Sequence, residues 1–129
     1  MDVEGRASDG LSGLTRLNRA TRVGFTALAW AFRNEEAFRL EVLGAVVLVP
    51  FGLWFGHGGA EKALLAAAII QVMIVELLNT GIEVVVDRIS IERHALSGLA
   101  KDLGSAAVMV SLFLATTIWA CILLPRLFR

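Results

Sequence analysis

The sequence predicts an all-α membrane protein, with three transmembrane helices per subunit preceded by an amphipathic helix lying in the interface. Two observations carry this reading. Hydrophobic residues make up 57% of the chain and charged residues 19%, with a mean hydropathy of +0.71; soluble domains sit near one half and one quarter. Three apolar runs are also long enough, at 1.5 Å per helical residue, to cross a hydrocarbon core of about 30 Å. The length of 129 residues suits a single domain.

Residues 1–12 are polar and Gly-rich, without the apolar stretch of a secretory signal, and read as a disordered N-terminus ahead of one domain over 13–129. A surface helix then covers about 13–33. Leu14, Leu17, Thr21, Phe25, Leu28 and Phe32 recur every three or four residues and form one narrow stripe, with Arg16, Arg19, Arg22 and Arg33 off it. A basic face opposite Leu and Phe suits a helix in the membrane interface. Packing on the chain's own bundle is the alternative.

The first span covers about 37–55, with Arg39 and Glu41 near its start and Pro50 near its end. Proline is tolerated in a membrane helix when neighbours satisfy the freed carbonyl. The string "GHGG" at 56–59 reads as a turn. The second span covers about 63–86, and a polar loop follows over 87–104. The third covers about 105–124 and carries no charge. The single cysteine, Cys121, lies in that apolar run and cannot form an intrachain disulfide.

Basic residues orient the chain. Arg6, Arg16, Arg19, Arg22, Arg33, Arg39, Arg88, Arg93 and Lys101 fall on one side, and Lys62, Arg126 and Arg129 on the other. The positive-inside rule puts the N-terminus and the 87–104 segment in the cytoplasm. Net charge is zero, so bulk charge does not argue for a nucleic-acid partner.

The stretch "MIVELLNTGIEVVVDR" at 73–88 concentrates the chemistry. Relative to Glu76, Asn79 falls at about −60°, Glu83 at about −20° and Asp87 at about +20° around the helix. Polar residues sharing one face suggest a cleft open to the cytoplasm, and ionisable residues within a membrane usually mark function. The plainer alternatives are a helix end at the headgroups for Asp87 and an interhelical hydrogen bond for Asn79. Glu35 and Glu36 open the first span at the level of Glu83; their alternative role is to favour a helix N-terminus, with Asn34 as its cap. Lys101 and Asp102 precede the third span, where Lys101 can pair with a phosphate and Asp102 can act as a cap. Carboxylates with incoming phosphates are the usual hold on Mg²⁺, and a buried glutamate suits general-base work.

The chain lacks GxxxxGK[ST], kinase HRD and DFG motifs and GxGxxG, which excludes the standard nucleotide folds. His57 and His94 stand alone in predicted loops, with no zinc spacing and no Ser-His-Asp pattern.

Three strings, "NEEAFRLE", "VELLNTGIEVVVDRI" and "LSGLAKDLGSAAV", occur in order. Together they resemble the bacterial integral-membrane diacylglycerol kinase family, in its Gram-negative form, from Gly13 onward. The resemblance implies a homotrimer in the inner membrane that moves the γ-phosphate of MgATP to diacylglycerol at the cytoplasmic face, giving phosphatidic acid. It implies Glu76 as catalytic base with Asn79 beside it, and Glu35 and Glu83 as metal-linked carboxylates. It implies nucleotide contacts at Arg16, Val23, Glu35, Glu83, Glu92, Arg93, His94, Lys101 and Asp102. Lipid contacts fall at Arg16, Arg22, Phe25, Trp30, Glu76 and Ser105, with Asp87 and Arg39 in support. The chain departs from the family pattern at Val23 and Arg93, where aromatic residues are usual. Phe25 also stands in place of Trp, and Gly81 in place of Ala.

Two other readings fit parts of the pattern. The related undecaprenol kinases share the family's chemistry on a polyprenol. A proton or ion transport subunit also uses carboxylates in a membrane helix, but its polar path should cross the bilayer. Beyond Glu76 the second span holds only Gln71, and the third only Ser111, Thr116 and Thr117. A purely structural assembly subunit leaves the clustered charge unexplained.

Overall fold

A computed structural model describes residues 13–89 and 91–128. The described residues form four helices: α1 (Gly13–Asn34), α2 (Glu36–Phe55), α3 (Gly58–Ile89) and α4 (Ala95–Leu127). The last three are long and apolar enough to cross a membrane, so this is a multi-pass membrane protein. The expected disordered segment at 1–12 lies outside the described residues.

The predicted spans are present, but two are longer than expected. α3 runs from Gly58 to Ile89 rather than 63–86, and α4 begins at Ala95 rather than near 105. The expected 87–104 loop is therefore mostly helix. Charge marks where a helix leaves lipid, not where its backbone hydrogen bonding stops.

The apolar stripe of α1 stays uncovered within the chain: Leu14, Leu17 and Phe25 are exposed, and Ala31 alone is buried on this helix. The turn into α2 is tight. Glu35 is extended (φ −108°, ψ 115°) and serves as N-cap without a side-chain hydrogen bond. Its N–H donates to Ala31 O at 2.8 Å, and its carbonyl accepts Arg39 N–H at 3.1 Å. Arg39 Nη1 donates to Phe32 O (3.3 Å) and Arg33 O (3.1 Å), satisfying carbonyls that end α1. Asn34 does not cap α2. It closes α1, and its Nδ2 donates to Trp30 O at 2.8 Å.

At the α2–α3 turn, Gly58 has φ +72°, a left-handed conformation that favours glycine. Glu61 accepts the His57 backbone N–H at 2.7 Å and pairs with Arg126, which also donates to Phe55 O. This clasp joins the ends of three helices.

α3 is the central helix, packing against α2 on one side and α4 on the other. Ala68, Val72 and Ala115 form a small core with Ile118 and Trp119 against it. Trp119 Nε1 donates to Leu65 O at 3.1 Å, and Gln71 Nε2 donates to Ser111 O at 2.8 Å. Small residues and polar bonds of this kind join helices in lipid, where burial of apolar surface supplies little drive. At Gly52, an added Cβ would stand 2.9 Å from Leu65 Cβ, so α2 crosses α3 closely there.

Candidate active site

The polar stripe of α3 faces inward from Glu76 to Glu83, while Asp87 at its end is exposed. Glu76 is 6% exposed, Asn79 and Thr80 are buried with it, and Glu83 is half-buried one turn nearer the α3 C-terminus. Asn79 Nδ2 donates to Glu83 Oε1 at 3.4 Å. Glu76 lies within electrostatic reach of Glu83 and of Glu35, which sits at the α1–α2 turn. The packing of α2 on α3 thus brings three of the expected carboxylates together.

A fourth acidic residue joins them. Glu41 faces Glu76 electrostatically, and its Oε2 is enclosed without a hydrogen-bond partner. In the sequence Glu41 stands out only as a charge near the start of the first span. The signal was its spacing: it follows buried Phe38 by three residues and so shares the face that α2 turns inward. Glu41 also stands at one end of an apolar cleft of about 560 Å³. Gly44, Ala45 and Leu48 of α2, Ile69 and Val72 of α3, and Leu112 to Leu127 of α4 contribute to its walls. Acidic residues gathered at the head of an apolar cleft attract cations or protons, because little water is there to screen them. Arg39 does not supply that charge, since it is turned to the carbonyls of α1.

A second cleft, of about 420 Å³, opens where α3 hands over to α4. Asp87, Glu92, Arg93, His94 and Lys101 line it. Lys101 Nζ donates to Asp87 Oδ1 at 2.6 Å. Lys101 lies outside the apolar run of α4, and that hydrogen bond raises its pKa above the usual lysine value. His94 is the N-cap of α4, with its side chain accepting the Leu96 N–H at 3.2 Å. The cap expected of Asp102 is not there. Asp102 lies two turns inside α4, exposed, and Ser105 is exposed beyond it.

The remaining expected residues do not join the buried cluster. Arg16, Arg22, Val23, Phe25 and Trp30 are exposed on α1. Arg16 and Glu35 are nineteen residues apart, about 28 Å along a helix. Among the described residues, no group of three or more His, Cys, Asp or Glu side chains is arranged to hold a metal by itself.

Residues 22–123 match the family model described as prokaryotic diacylglycerol kinase. The chain belongs to the prokaryotic diacylglycerol kinase family. A diacylglycerol kinase of Pseudomonas aeruginosa is 48% identical over 115 residues, covering 89% of this chain and 94% of that protein. One of Haemophilus influenzae is 44% identical over 112 residues, 87% of this chain and 95% of the relative. One of Escherichia coli K12 is 43% identical over 113 residues, 88% and 92% respectively. In this member of the prokaryotic diacylglycerol kinase family, the matched region contains all four clustered glutamates and the whole α3–α4 cleft. Arg16 lies outside it.

Proposed function

We propose that residues 13–129 form one kinase domain that transfers the γ-phosphate of ATP to diacylglycerol, giving phosphatidic acid and ADP. Membership of the family supports the reaction class. The observation that carries the site is Glu76, a buried carboxylate within electrostatic reach of Glu35 and Glu83 and of Glu41, which lines the apolar cleft.

The lipid's acyl chains lie in the bilayer and its free hydroxyl reaches Glu76. Glu76 accepts the hydroxyl proton as that oxygen bonds to the γ-phosphorus, and the bond to the ADP oxygen breaks. Asn79 holds its place beside Glu76 and Glu83. Lys101 offsets negative charge on the phosphates, and Arg93, His94, Glu92 and Asp102 shape the nucleotide side. Phosphoryl transfer mainly requires positioning and charge neutralisation, so a small site suffices.

Glu35 and Glu83 fit a Mg²⁺ ion: both offer hard oxygen donors, and Mg²⁺ needs only one or two carboxylates when phosphates supply the rest. Bound there, Mg²⁺ neutralises charge on the transferring group. Both glutamates lie within electrostatic reach of buried Glu76, and such a gathering of carboxylates supports this.

Three subunits complete the assembly. The exposed stripe of α1, with Phe25 on it, suits the interface of the inner membrane, and Arg22 and Trp30 beside the stripe contact the lipid from its flanks. Arg16 and Val23, far along α1 from their own Glu35, contribute to the nucleotide side. The N-terminus lies in the cytoplasm, with ATP.

A transmembrane proton path is disfavoured. Gln71 is bonded to Ala68 O and Ser111 O, while Ser111, Thr116 and Thr117 bond back to their own helix. The deciding test offers purified protein in mixed micelles labelled ATP with diacylglycerol and undecaprenol side by side. Diacylglycerol should take up label well ahead of the polyprenol; the opposite order would replace this reading with a polyprenol kinase.

A further inference from the structure

Gly104 lies one turn beyond Lys101 in α4 and is buried against α3. A Cβ at this position would stand 3.2 Å from Asn79 Cγ and 3.8 Å from Asn79 Cα, and would overlap Oδ1. The Asn79 side chain therefore fills the space that any other residue at 104 would take. Missing side chains are what allow membrane helices to approach this closely.

Asn79 is held in an unusual state. It is 8% exposed, and its Oδ1 is enclosed without a hydrogen-bond partner. Leaving a buried carbonyl oxygen unpaired is unfavourable, so the packing around it fixes the amide. With α4 bare at Gly104, the amide lies against the neighbouring backbone and its Nδ2 reaches Glu83 Oε1 at 3.4 Å. One turn away along α4, Lys101 meets Asp87 of α3 at 2.6 Å.

We propose that Gly104 is a positioning residue for Glu83: by leaving room for Asn79, it sets the amide that orients the Glu83 carboxylate toward a divalent cation. This rests on Glu83 being metal-linked, as in the reading above. Groups that hydrogen-bond a ligating carboxylate tune its metal affinity, and their loss typically costs about 10–100-fold. The absence of a side chain at 104 is thus a requirement of the site as well as of the packing.

The test uses the full chain with Gly104→Ala. Mn²⁺ binding is followed by electron paramagnetic resonance with a non-hydrolysable ATP analogue, alongside the Mg²⁺ dependence and lipid KM of turnover. Cation binding should weaken about 10–100-fold, rescued in turnover by high Mg²⁺, with lipid KM nearly unchanged. Asn79→Ala should weaken cation binding to a similar extent and makes room for a Cβ at 104. In that background, adding Gly104→Ala should change cation binding by less than about twofold, because the two changes act through one contact. Wild-type cation binding in Gly104→Ala, or an equal further loss in the Asn79→Ala background, overturns the assignment. If Gly104→Ala does not assemble, Asn79→Ala decides: cation binding equal to wild type overturns it. A wild-type protein that binds the cation but phosphorylates no lipid defeats the kinase reading instead, and the cation measurements still decide the role of Gly104.

Discussion

Lys101 of α4 and Asp87 of α3 meet at 2.6 Å on the rim of the cleft between those helices. Both side chains are exposed, and an exposed pair adds little to stability. Its effect is to hold an ammonium group over the cleft. Lys101→Met should leave thermal unfolding almost unchanged and weaken ATP binding by about 10-fold or more, as for a lost charge-assisted contact. Calorimetric titration with nucleotide checks this, and wild-type affinity would remove Lys101 from the nucleotide side.

Glu76 and Glu83 share one helix face but sit about 10 Å apart along its axis. Glu76→Gln keeps the shape and removes the proposed base, so lipid phosphorylation should fall by about 10²–10⁴-fold while nucleotide binding stays near normal. Glu83→Gln should weaken MgATP binding, with partial recovery as Mg²⁺ is raised. Equal loss of nucleotide binding in both variants would erase this division of labour.

Gly52 marks the tight crossing of α2 over α3, with Leu65 Cβ and the Trp119 ring against it. Gly52→Ala should destabilise the fold by about 1–3 kcal/mol, the usual cost of forcing atoms into a packed contact. Denaturant titration in micelles measures it. The protein that remains folded should keep its specific activity, because the glutamate cluster lies toward the other end of α2.

Arg126 clasps Glu61 and Phe55 O at the opposite end of the bundle. Arg126→Ala should lower the unfolding temperature by a few degrees and leave nucleotide affinity and turnover at low temperature intact. A loss of activity without a loss of stability would mean that this end communicates with the carboxylates.

The spans and the polar stripe were legible because lipid imposes simple constraints: long apolar runs, and polar residues confined to one face. The helix ends were less legible. Asp87 and the residues from Ala95 to Gly104 are polar or charged in part, yet they belong to α3 and α4. His94, read as a lone loop residue, caps α4, while Asp102, the more typical capping residue, sits inside it. Asn34 ends one helix instead of starting the next. These choices depend on where the chain turns, which local spacing does not fix. Glu41 was visible but unassigned, because its partner Glu76 lies on another helix and only packing brings them together. The same holds for Gly104, whose meaning depends on Asn79 across the α3–α4 contact.

α3 has 32 residues, about 48 Å of helix for a hydrocarbon layer of about 30 Å. Glu76, Asn79, Glu83 and Asp87 are therefore mounted on one rigid rod that outreaches the layer it pierces. Their heights relative to the lipid surface shift together, set by how the apolar part of the rod settles. In a thinner bilayer Glu76 rises toward water; in a thicker one Glu83 sinks toward the acyl chains unless the rod tilts. The host membrane's thickness thereby sets the depth of all four side chains at once, and the helix works as a depth gauge.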